Sequence, residues 1–362
     1  MIMRNVLVTG GAGFIGSNFV RHLLSNETNV RIVTLDALTY AGSLENLTEL
    51  PDEHRHVFVH GNICDPSLVD QIIRQHLVDT IVHFAAETHV DRSILDPEPF
   101  VKTNVIGTFT LLEAARRLWL QERIVSGEVR FHHVSTDEVF GMLGLNDLPF
   151  SETTPYSPNS PYAATKASSD HLVRAYAHTY GLPVTISNCT NNYGPYMFPE
   201  KLIPLMITNA LAGKPLPVYG DGGQIRDWLY VTDHCEAIRT IIYRGQPGET
   251  YCIGGNNQPT NLTVIKTLCE IMDECLPGSP YVPHASLIQF VGDRPGHDRR
   301  YAMDIRKIRT TLGWEPQKSL DSGFLETVEW YLNHPKWIEA IHQGQDYQNW
   351  LQRNYANRGE TK

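Results

Sequence analysis

The chain has 362 residues, of which 41% are hydrophobic and 19% are charged, and its formal net charge at pH 7 is -10. This length can bury one or two sizeable cores, and the acidic balance argues against a nucleic-acid-binding surface of the usual basic kind. No apolar run reaches the roughly 20 residues needed to cross a bilayer, and no secretory signal precedes the first strand. We therefore expect a cytoplasmic protein whose partners include neither nucleic acid nor membrane.

The cysteines form neither a Cys-x-x-Cys pair nor a Cys/His group with the spacing of a zinc site. They are scattered over the chain at Cys64, Cys189, Cys235, Cys252, Cys269 and Cys275. This pattern predicts buried free thiols in a reducing compartment and no metal centre.

The first predicted elements are a strand at residues 4–9, a glycine-rich loop and a helix. Gly10, Gly13 and Gly16 of the loop let the backbone approach a pyrophosphate, and the helix N-terminus supplies oriented N–H groups. Asp36 ends the next predicted strand and lies 20 residues after Gly16. Its carboxylate can bind a ribose 2′-hydroxyl and would repel a 2′-phosphate. The pattern predicts a dinucleotide site that favours NAD over NADP, with a plain βα turn as the alternative.

Strands and helices alternate through the rest of the first half, which predicts a parallel, doubly wound sheet. Further strands are expected at residues 56–60, 80–84 and 129–135, with helices near 66–76 and 100–118. Asn62-Ile63 and Ala85-Ala86 directly follow strands, at positions where an open α/β sheet binds its ligand. His89 lies in the polar loop beyond them, and we interpret it as a loop or interface histidine.

Two adjacent acids, Asp137 and Glu138, follow Thr136 at the end of the predicted strand 129–135. They are expected at the carboxyl edge of the sheet, in the region of a nicotinamide. A low-dielectric site can push the pKa values of two acids apart, leaving one as acid and the other as base. We interpret them as a candidate acid–base pair, with the Thr136 hydroxyl available to a sugar hydroxyl. A solvated turn is the alternative.

A tyrosine and a lysine stand one helical turn apart at Tyr162 and Lys166. A tyrosine alone is a poor base near neutral pH because its unperturbed pKa is about 10. A nearby ammonium group favours the phenolate and brings that pKa towards a useful range. The pair is a candidate catalytic base, although an ordinary pair on a helix surface has the same spacing.

The pattern changes after residue 190, where the sequence predicts a second, smaller part. We expect a polar turn at 191–195, a helix at 205–211, an extended run at 215–220, a return to the first part at 230–244, a strand near 250–253 and a cap formed by 262–276 and 305–332. Arg226 offers the planar, bidentate pairing that suits a diphosphate. Trp337, Trp350 and Tyr355 predict a packed tail.

Together these elements predict an α/β fold with two domains. The first is a NAD-binding Rossmann domain with a doubly wound parallel sheet, expected at residues 1–190 and receiving about residues 228–256. The second is a smaller C-terminal α/β substrate-binding domain at 191–227 and 257–362. The active site is expected between them.

Several motifs are similar to those of a known family. Gly10, Gly13 and Gly16, together with Tyr162 and Lys166, resemble the extended short-chain dehydrogenase/reductase superfamily. A finer resemblance, to the dTDP-glucose 4,6-dehydratase family within it, rests on residues 85–93, 135–139, 160–162, 191–195, 224–228 and 293–299. These motifs follow the family's order up to about residue 355. The adjacent acids distinguish the dehydratases from the related 4-epimerases, which share the glycine loop and the Tyr/Lys pair.

The resemblance implies a three-stage reaction on a nucleotide-linked glucose, with tightly bound NAD+ regenerated in each turnover. Tyr162, assisted by Lys166, would remove the proton of the 4-hydroxyl while carbon 4 is oxidised, and Thr136 would aid this step. Glu138 would then remove the proton of carbon 5, and Asp137 would protonate the leaving hydroxyl of carbon 6. Hydride would return to carbon 6, giving the 4-keto-6-deoxy sugar nucleotide and water.

The resemblance also implies two sets of binding residues and a homodimer. The cofactor would contact Gly10, Gly13, Phe14, Ile15, Gly16, Asp36, Ala37, Leu38, Thr39, Asn62, Ile63, Phe84, Ala85, Ala86, Thr103, Tyr162, Lys166 and Asn192. The substrate would contact Thr88, Thr136, Asn191, Lys201, Leu202, Pro217, Val218, Tyr219, Arg226, Asn261, Asp293 and His297. The dimer would form through the helix at 100–118 and the helix that carries Tyr162.

Three positions depart from the family pattern. Asn62 replaces the usual Asp, so its contact with adenine loses a negative charge, while Thr88 replaces a Ser and Phe140 a Tyr. The alternatives that stay open are a dehydratase of UDP-linked or N-acetylated sugars, a 4-epimerase or decarboxylase of the same fold, and a non-catalytic NAD-binding module.

Overall fold

Seven parallel strands form the central sheet of the computed structural model, which describes residues 3–293 and 298–344. The strands of the described chain are β1 (Asn5–Thr9), β2 (Arg31–Asp36), β3 (His56–His60), β4 (Thr80–His83), β5 (Arg130–Thr136), β6 (Val184–Cys189), β7 (Asn191–Tyr193), β8 (Leu216–Tyr219), β9 (Trp228–Tyr230), β10 (Thr250–Ile253) and β11 (Ile288–Val291). The order across the large sheet is β10-β6-β5-β4-β1-β2-β3. All its neighbours pair in parallel, so the predicted sheet is confirmed.

Helices cover both faces of this sheet and build the second lobe. In the described residues they are α1 (Phe14–Asn26), α2 (Pro66–Gln75), α3 (Val90–Leu95), α4 (Glu98–Phe100), α5 (Thr108–Ala115), α6 (Pro161–Tyr180), α7 (Leu202–Leu211), α8 (Val231–Arg244), α9 (Asn261–Cys275), α10 (Arg306–Leu312), α11 (Leu320–Asn333) and α12 (Pro335–Gln343). The predicted helix at 100–118 belongs to a longer helical run, with π-helical turns at Val101–Gly107 and Arg116–Gln121. Side-chain periodicity does not reveal such turns, because they are irregularities of backbone hydrogen bonding.

Alternate residues of the inner strands point to opposite faces of the sheet, and helices bury both faces. Leu7 of β1 packs on one face in a core shared with α2, α5 and α6. Val6 and Val8 pack on the other face with α1 and α8. Because all seven strands run in the same direction, their carboxyl ends lie at one edge of the sheet. An open α/β sheet binds its ligand at this edge.

The second lobe has a core of its own, built from α7, α9, α11 and α12 around β8 and β9. Strand β8 pairs with β11 and β7 with β9, both in parallel. The predicted polar turn at 191–195 is wrong over its first three residues, because Asn191–Tyr193 is a strand. Tyr193 is 1% exposed and packs against Trp228 and Phe324. Burial of the Tyr193 ring stabilises this strand. The sequence did not predict it because two polar asparagines precede the tyrosine.

The predicted cap segment 305–332 divides between the two lobes. Ile308, Leu312 and Trp314 pack with Tyr251 in a core beside the edge strand β10 of the large sheet. Helix α11 instead lies in the core of the second lobe. Residues 305–314 therefore contact the first lobe, and the domain boundaries given above stay a prediction.

The C-terminal tail is packed as far as the structure describes it. Trp337 is buried, whereas Trp350 and Tyr355 lie outside the described residues. All six cysteines are free thiols. Within the described ranges, no group of three or more His, Cys, Asp or Glu side chains could hold a metal ion, and no helix is long and apolar enough to cross a membrane.

Candidate active site

A cleft of about 330 Å³ lies along the carboxyl ends of β1, β2, β4, β5 and β6. All of the predicted cofactor contacts except Leu38 line this cleft. Leu38 instead donates its backbone N–H to the Asp36 carboxylate at 2.8 Å. The cleft also takes in the two acids after β5 and the Tyr/Lys pair of α6, so the structure brings the predicted catalytic residues together.

The glycine-rich turn that leads from β1 into α1 leaves no room for a side chain at Gly10 or Gly16. Gly10 has a φ of 72°, in the left-handed region that glycine tolerates, and a Cβ on Gly16 would lie 2.2 Å from the Gly10 carbonyl oxygen. Helix α1 begins at Phe14 after Gly13, with no side chain capping its N-terminus. Such a loop fits the pyrophosphate of a dinucleotide, which needs close backbone approach and oriented N–H groups.

Asp36, at the end of β2, is held against the glycine loop. Its carboxylate accepts hydrogen bonds from the backbone N–H groups of Ala12 at 2.9 Å and Leu38 at 2.8 Å. Burial raises the pKa of Asp36, and these two hydrogen bonds oppose the rise. The side chain lines the cleft where the sequence predicts a ribose contact.

Two asparagines of the predicted cofactor set also bond within the protein. Asn62 Oδ1 accepts a hydrogen bond from the Cys64 N–H at 2.8 Å. Asn192 Oδ1 lies 2.8 Å from Nδ1 of His234, and its amide donates to the Thr190 carbonyl at 3.0 Å. Both line the cleft. The side-chain oxygen of Asn62, the residue that replaces the usual aspartate, therefore already accepts a hydrogen bond from the neighbouring backbone.

Helix α6 carries Tyr162 and Lys166 into the cleft. Its N-terminus is capped by the Ser160 hydroxyl, which accepts a hydrogen bond from the Ala163 N–H at 3.1 Å. Lys166 Nζ donates to the Val134 carbonyl of β5 at 2.8 Å. Tyr162 and Lys166 are both buried. The alternative interpretation, an ordinary pair on the surface of a helix, is therefore wrong.

Burial dominates the pKa of the Tyr162 phenol. Burial, followed by the charge of Glu138, raises the pKa of Tyr162 well above its usual value, and a hydrogen bond with Thr136 opposes the rise. Burial also lowers the pKa of Lys166. A phenolate at Tyr162 therefore needs positive charge and hydrogen-bond donors close by.

The two acids after β5 occupy different environments. Asp137 is 3% exposed, and burial, followed by the charge of Glu138, raises its pKa to about 8. The charge of Arg226 and a hydrogen bond donated by the Thr136 hydroxyl, at 3.2 Å, oppose this rise. Glu138 is only partly buried, and its N–H donates to the same hydroxyl at 3.2 Å. Asp137 retains its proton at neutral pH, which gives the predicted division into acid and base a physical cause.

The predicted substrate contacts divide between the cleft and the second lobe. Those that line the cleft are Thr88, Thr136, Asn191 and Lys201. Those that do not line it are Leu202, Pro217, Val218, Tyr219, Arg226, Asn261 and Asp293. His297 lies outside the described residues. Val218 is 1% exposed in the lobe core, while the Arg226 guanidinium lies 4.5 Å from the centre of the Tyr301 ring.

Several residues of the cleft were not predicted from the sequence. They include Tyr40, Glu87, Cys189 and Glu200. The Glu200 side chain is 2% exposed and lies 3.7 Å from Nε2 of His89 and 3.6 Å from the Arg92 guanidinium. His89 therefore lies in a cluster with Glu200 and Arg92, and its interpretation as a loop or interface histidine stays a prediction. An acid next to Lys201 in a loop resembles a solvated turn, so the sequence carried little signal for Glu200.

Comparison with known proteins agrees with this site. The sequence model of the family described as GDP-mannose 4,6 dehydratase matches residues 7–327. dTDP-glucose 4,6-dehydratase 1 of Escherichia coli K12 is 52% identical over 362 residues, which cover 98% of this chain and 99% of the relative. A dTDP-glucose 4,6-dehydratase of Neisseria meningitidis serogroup B is 55% identical over 345 residues, which cover 94% and 97%. The chain belongs to the dTDP-glucose 4,6-dehydratase family.

Solved structures of dTDP-glucose 4,6-dehydratases share the fold. The Bacillus anthracis enzyme, in complex with NAD, has a TM-score of 0.82 and 46% identity, covering 93% of this chain and 99% of that one. The Streptomyces venezuelae enzyme, also with NAD, has a TM-score of 0.83 at the same identity and coverage. The UDP-glucose 4-epimerase of Thermotoga maritima, at 30% identity and 91% and 99% coverage, still reaches 0.79. The predicted family and Rossmann fold are confirmed, but the fold alone does not choose between dehydration and epimerisation.

Proposed function

We propose that this member of the dTDP-glucose 4,6-dehydratase family converts dTDP-glucose to dTDP-4-keto-6-deoxy-glucose and water, with NAD+ as its resident cofactor. The observation that carries the proposal is the acid pair beside Tyr162, with Asp137 kept protonated by burial and Glu138 partly exposed. An epimerase of this fold removes no water and has no use for such a pair. The names of the curated relatives support the same substrate.

The cleft fits NAD+ on observations of its own residues. A Cβ on Gly16 would meet the Gly10 carbonyl, so glycine there lets the start of α1 pack closely against the loop that would hold a ligand's phosphates. Asp36 lines the same cleft and favours a free ribose 2′-hydroxyl over a 2′-phosphate. When bound, NAD+ supplies the acceptor for the hydride of carbon 4 and returns that hydride to carbon 6.

In the oxidation stage, Tyr162 takes the proton of the sugar's 4-hydroxyl. Its burial makes a phenolate costly, so the buried Lys166 ammonium has to offset part of that cost. Thr136 contributes through its hydrogen bond with the phenol, which lowers the pKa of Tyr162. The three groups lie in the one cleft, so they can act on one hydroxyl.

In the elimination stage, Glu138 takes the proton of carbon 5, which the ketone at carbon 4 has made acidic. Asp137 gives its proton to the hydroxyl on carbon 6, which leaves as water. Glu138 then returns its proton to carbon 5 as hydride reaches carbon 6. At the end Tyr162 holds one extra proton and Asp137 lacks one, and exchange with solvent restores both. A protonated acid beside an ionised base is the arrangement that this stage needs.

We further propose that the nucleotide of the substrate binds where the lobes meet. Asn191 and Lys201 reach this region from the cleft, and the charge of Arg226 is close enough to lower the pKa of Asp137. Arg226 can therefore pair with a diphosphate that lies next to the acids. The other predicted contacts of the second lobe, and the domain division at residues 190 and 228–256, are part of this proposal.

We also propose a homodimer through the helical run that contains α4 and α5. Its outer surface exposes Val101 and Ile106 at 49% each and Phe109 at 44%. Ile94 and Leu95, on the neighbouring α3, are 58% and 69% exposed. Several exposed apolar side chains on neighbouring helical segments are typical of an interface with another copy or partner.

A cytoplasmic location is part of the proposal. Four of the six free thiols, Cys189, Cys235, Cys252 and Cys269, are buried. Free thiols without disulfides are typical of reducing compartments. Cell fractionation with an antibody to the chain tests this location.

The function is tested by incubating the purified protein with dTDP-glucose and, separately, with UDP-glucose. Product mass and the alkali-induced absorbance of a 4-keto sugar are followed. We expect dTDP-glucose to lose the mass of one water, with UDP-glucose at least about tenfold poorer in kcat/KM. Conversion of dTDP-glucose to dTDP-galactose without a change of mass would overturn the dehydratase and favour an epimerase. Water loss from UDP-glucose alone would overturn the choice of nucleotide.

A further inference from the structure

A buried carboxylate, Asp170, lies one turn beyond Lys166 on α6 and takes no part in the reaction described above. The exposed fractions of Asp170 and Lys166 are 0% and 4%. Asp170 Oδ2 accepts hydrogen bonds from the Ser135 hydroxyl at 3.0 Å and the Tyr156 hydroxyl at 2.6 Å. Its Oδ1 faces Nε2 of His133 at 3.1 Å. So many partners around one buried acid indicate a carboxylate that is held ionised.

A further donor links this carboxylate to the strand that carries the acid–base pair. The Asn188 amide on β6 donates to Asp170 Oδ2 at 3.2 Å and to the Thr136 carbonyl at 3.1 Å. Thr136 directly precedes Asp137, and Ser135 precedes Thr136. Asp170 therefore joins α6 to β5 and β6 at the residues next to the reacting groups.

The groups that face Lys166 from the neighbouring strands carry no charge at neutral pH. Burial lowers the pKa of His133 on β5 to about 4 and that of His83 on β4 well below its usual value. Burial raises the pKa of the Cys189 thiol on β6 to about 12. Asp170 is the ionised acid that faces the ammonium, and its charge raises the pKa of Lys166 against the effect of burial.

Arg174 and Tyr156 lie on the other side of Asp170. Arg174, one further turn along α6, donates to the Tyr156 hydroxyl at 2.7 Å, and that hydroxyl donates to Asp170. Burial alone would raise the pKa of Asp170, but its hydrogen bonds with His133 and Tyr156 and the charge of Lys166 lower it. Asp170 is therefore an anion between two cations of the same helix.

We propose that Asp170 is a positioning residue that keeps Lys166 in its ammonium form and fixes α6 against the strand that carries the acid–base pair. A buried ammonium group without a nearby anion gives up its proton, because burial penalises the charged form. A neutral Lys166 could not support a phenolate at Tyr162. Only the kinetic consequence of this inference rests on the proposed function.

The direct test is the titration of Lys166 itself, followed by NMR on protein that carries 15N-labelled lysine. The signal is assigned by its loss in Lys166→Arg. Asp170→Asn removes the charge and keeps the shape of the side chain, whereas Tyr156→Phe removes one hydrogen bond and keeps the charge. We expect the pKa of Lys166 to fall by about one unit in Asp170→Asn and to be unchanged in Tyr156→Phe. An unchanged titration in Asp170→Asn would overturn the inference.

The kinetic test follows oxidation alone, with dTDP-6-deoxy-glucose, which has no leaving hydroxyl and so does not involve Asp137. The first-order rate is read from the absorbance of reduced nicotinamide across the pH range. In Asp170→Asn we expect the alkaline limb of this rate to move about one pH unit lower, with binding of the sugar nucleotide unchanged. Asp170→Glu should restore the limb. A rate that falls equally at every pH would show a purely structural role and overturn the inference. A wild-type protein that fails to oxidise this sugar counts against the proposed function, and the titration still decides on Asp170.

Discussion

The side chain of Asp137 makes a prediction about pH. As the acid of the elimination it must be protonated, and burial raises its pKa to about 8. A raised pKa means that the active form is present at neutral pH and is lost as pH rises, so kcat for dehydration should fall through about pH 8. Asp137→Asn should lower kcat by about 10² to 10⁴ and abolish this limb, because an amide has no such proton to give. Steady-state kinetics over the pH range measure both effects.

The control for this prediction is Glu329→Gln, which neutralises an exposed acid of α11. It should leave kcat and the alkaline limb as in the wild type. If Asp137→Asn keeps the same limb at reduced rate, the limb belongs to another group and the acid role of Asp137 is contradicted.

Single residues also show how far the sequence could lead. The spacing of Tyr162 and Lys166 and the adjacent acids were visible in it, because each is a local pattern. The division of roles between Asp137 and Glu138 was expected, but its cause is burial, which raises the pKa of Asp137 more than the charge of Arg226 from the second lobe lowers it. Asp170 was missed because an acid one turn from a lysine is usually a surface pair.

At the level of elements, the first turn of α1 should not tolerate a methyl group at Gly16. In Gly16→Ala the new Cβ would stand 2.2 Å from the Gly10 carbonyl oxygen, and a backbone oxygen cannot move aside cheaply. We expect protein purified with this change to carry at least about tenfold less NAD than the wild type. NAD released by acid and quantified by chromatography measures the loss. Gly278→Ala, where a Cβ meets open space, should retain the cofactor. Equal NAD in both variants would contradict the assigned phosphate loop.

A second prediction concerns the contact of α11 with β7 in the second lobe. A Cβ on Gly323 would lie 2.1 Å from the Tyr193 hydroxyl oxygen, in a fully buried core. Gly323→Ala should therefore lower the free energy of unfolding by about 1–3 kcal/mol, as overpacking does. Urea unfolding measures this change.

Tyr193→Phe removes the closest atom of that contact, so the double variant should lose less than the sum of the single changes. Additive losses would contradict the packing described here.

The strands differ in how well their sequence patterns predicted them. Strands buried along their whole length tend to read as apolar runs, and the edge strand β10, which is buried throughout, was found with its bounds. Strand β7 was missed because Asn191 and Asn192 precede its one aromatic residue. Its partner β9 lies far along the chain, and long-range pairing leaves no mark on local sequence.

At the scale of the whole molecule, the exposed apolar surface of the helical run predicts a dimer that charge can break. Phe109→Asp would bury a carboxylate in the proposed interface, so we expect sedimentation velocity to show a monomer where the wild type is a dimer. Leu148→Asp, at a loop position that is 86% exposed, is the control and should stay dimeric. A wild-type monomer, or a Phe109→Asp dimer, would contradict the proposed interface.

The topology of the first lobe followed from the alternation of strands and helices, because parallel strands require right-handed crossovers. The contact of residues 305–314 with the sheet was not predicted. It depends on the packing of Ile308 and Trp314 against a strand that lies far from them in the sequence. The position of Arg226 near the acids was likewise not predictable, because it depends on how the second lobe packs against the first.

The central claim, that an acid and a base divide the elimination of water, is tested most directly by a single turnover of Glu138→Gln with dTDP-glucose. Removal of the base should leave oxidation at carbon 4 intact, so the absorbance of reduced nicotinamide should rise as in the wild type. Loss of water, followed by product mass, should be slower by about 10² or more. Water loss at the wild-type rate would contradict the account.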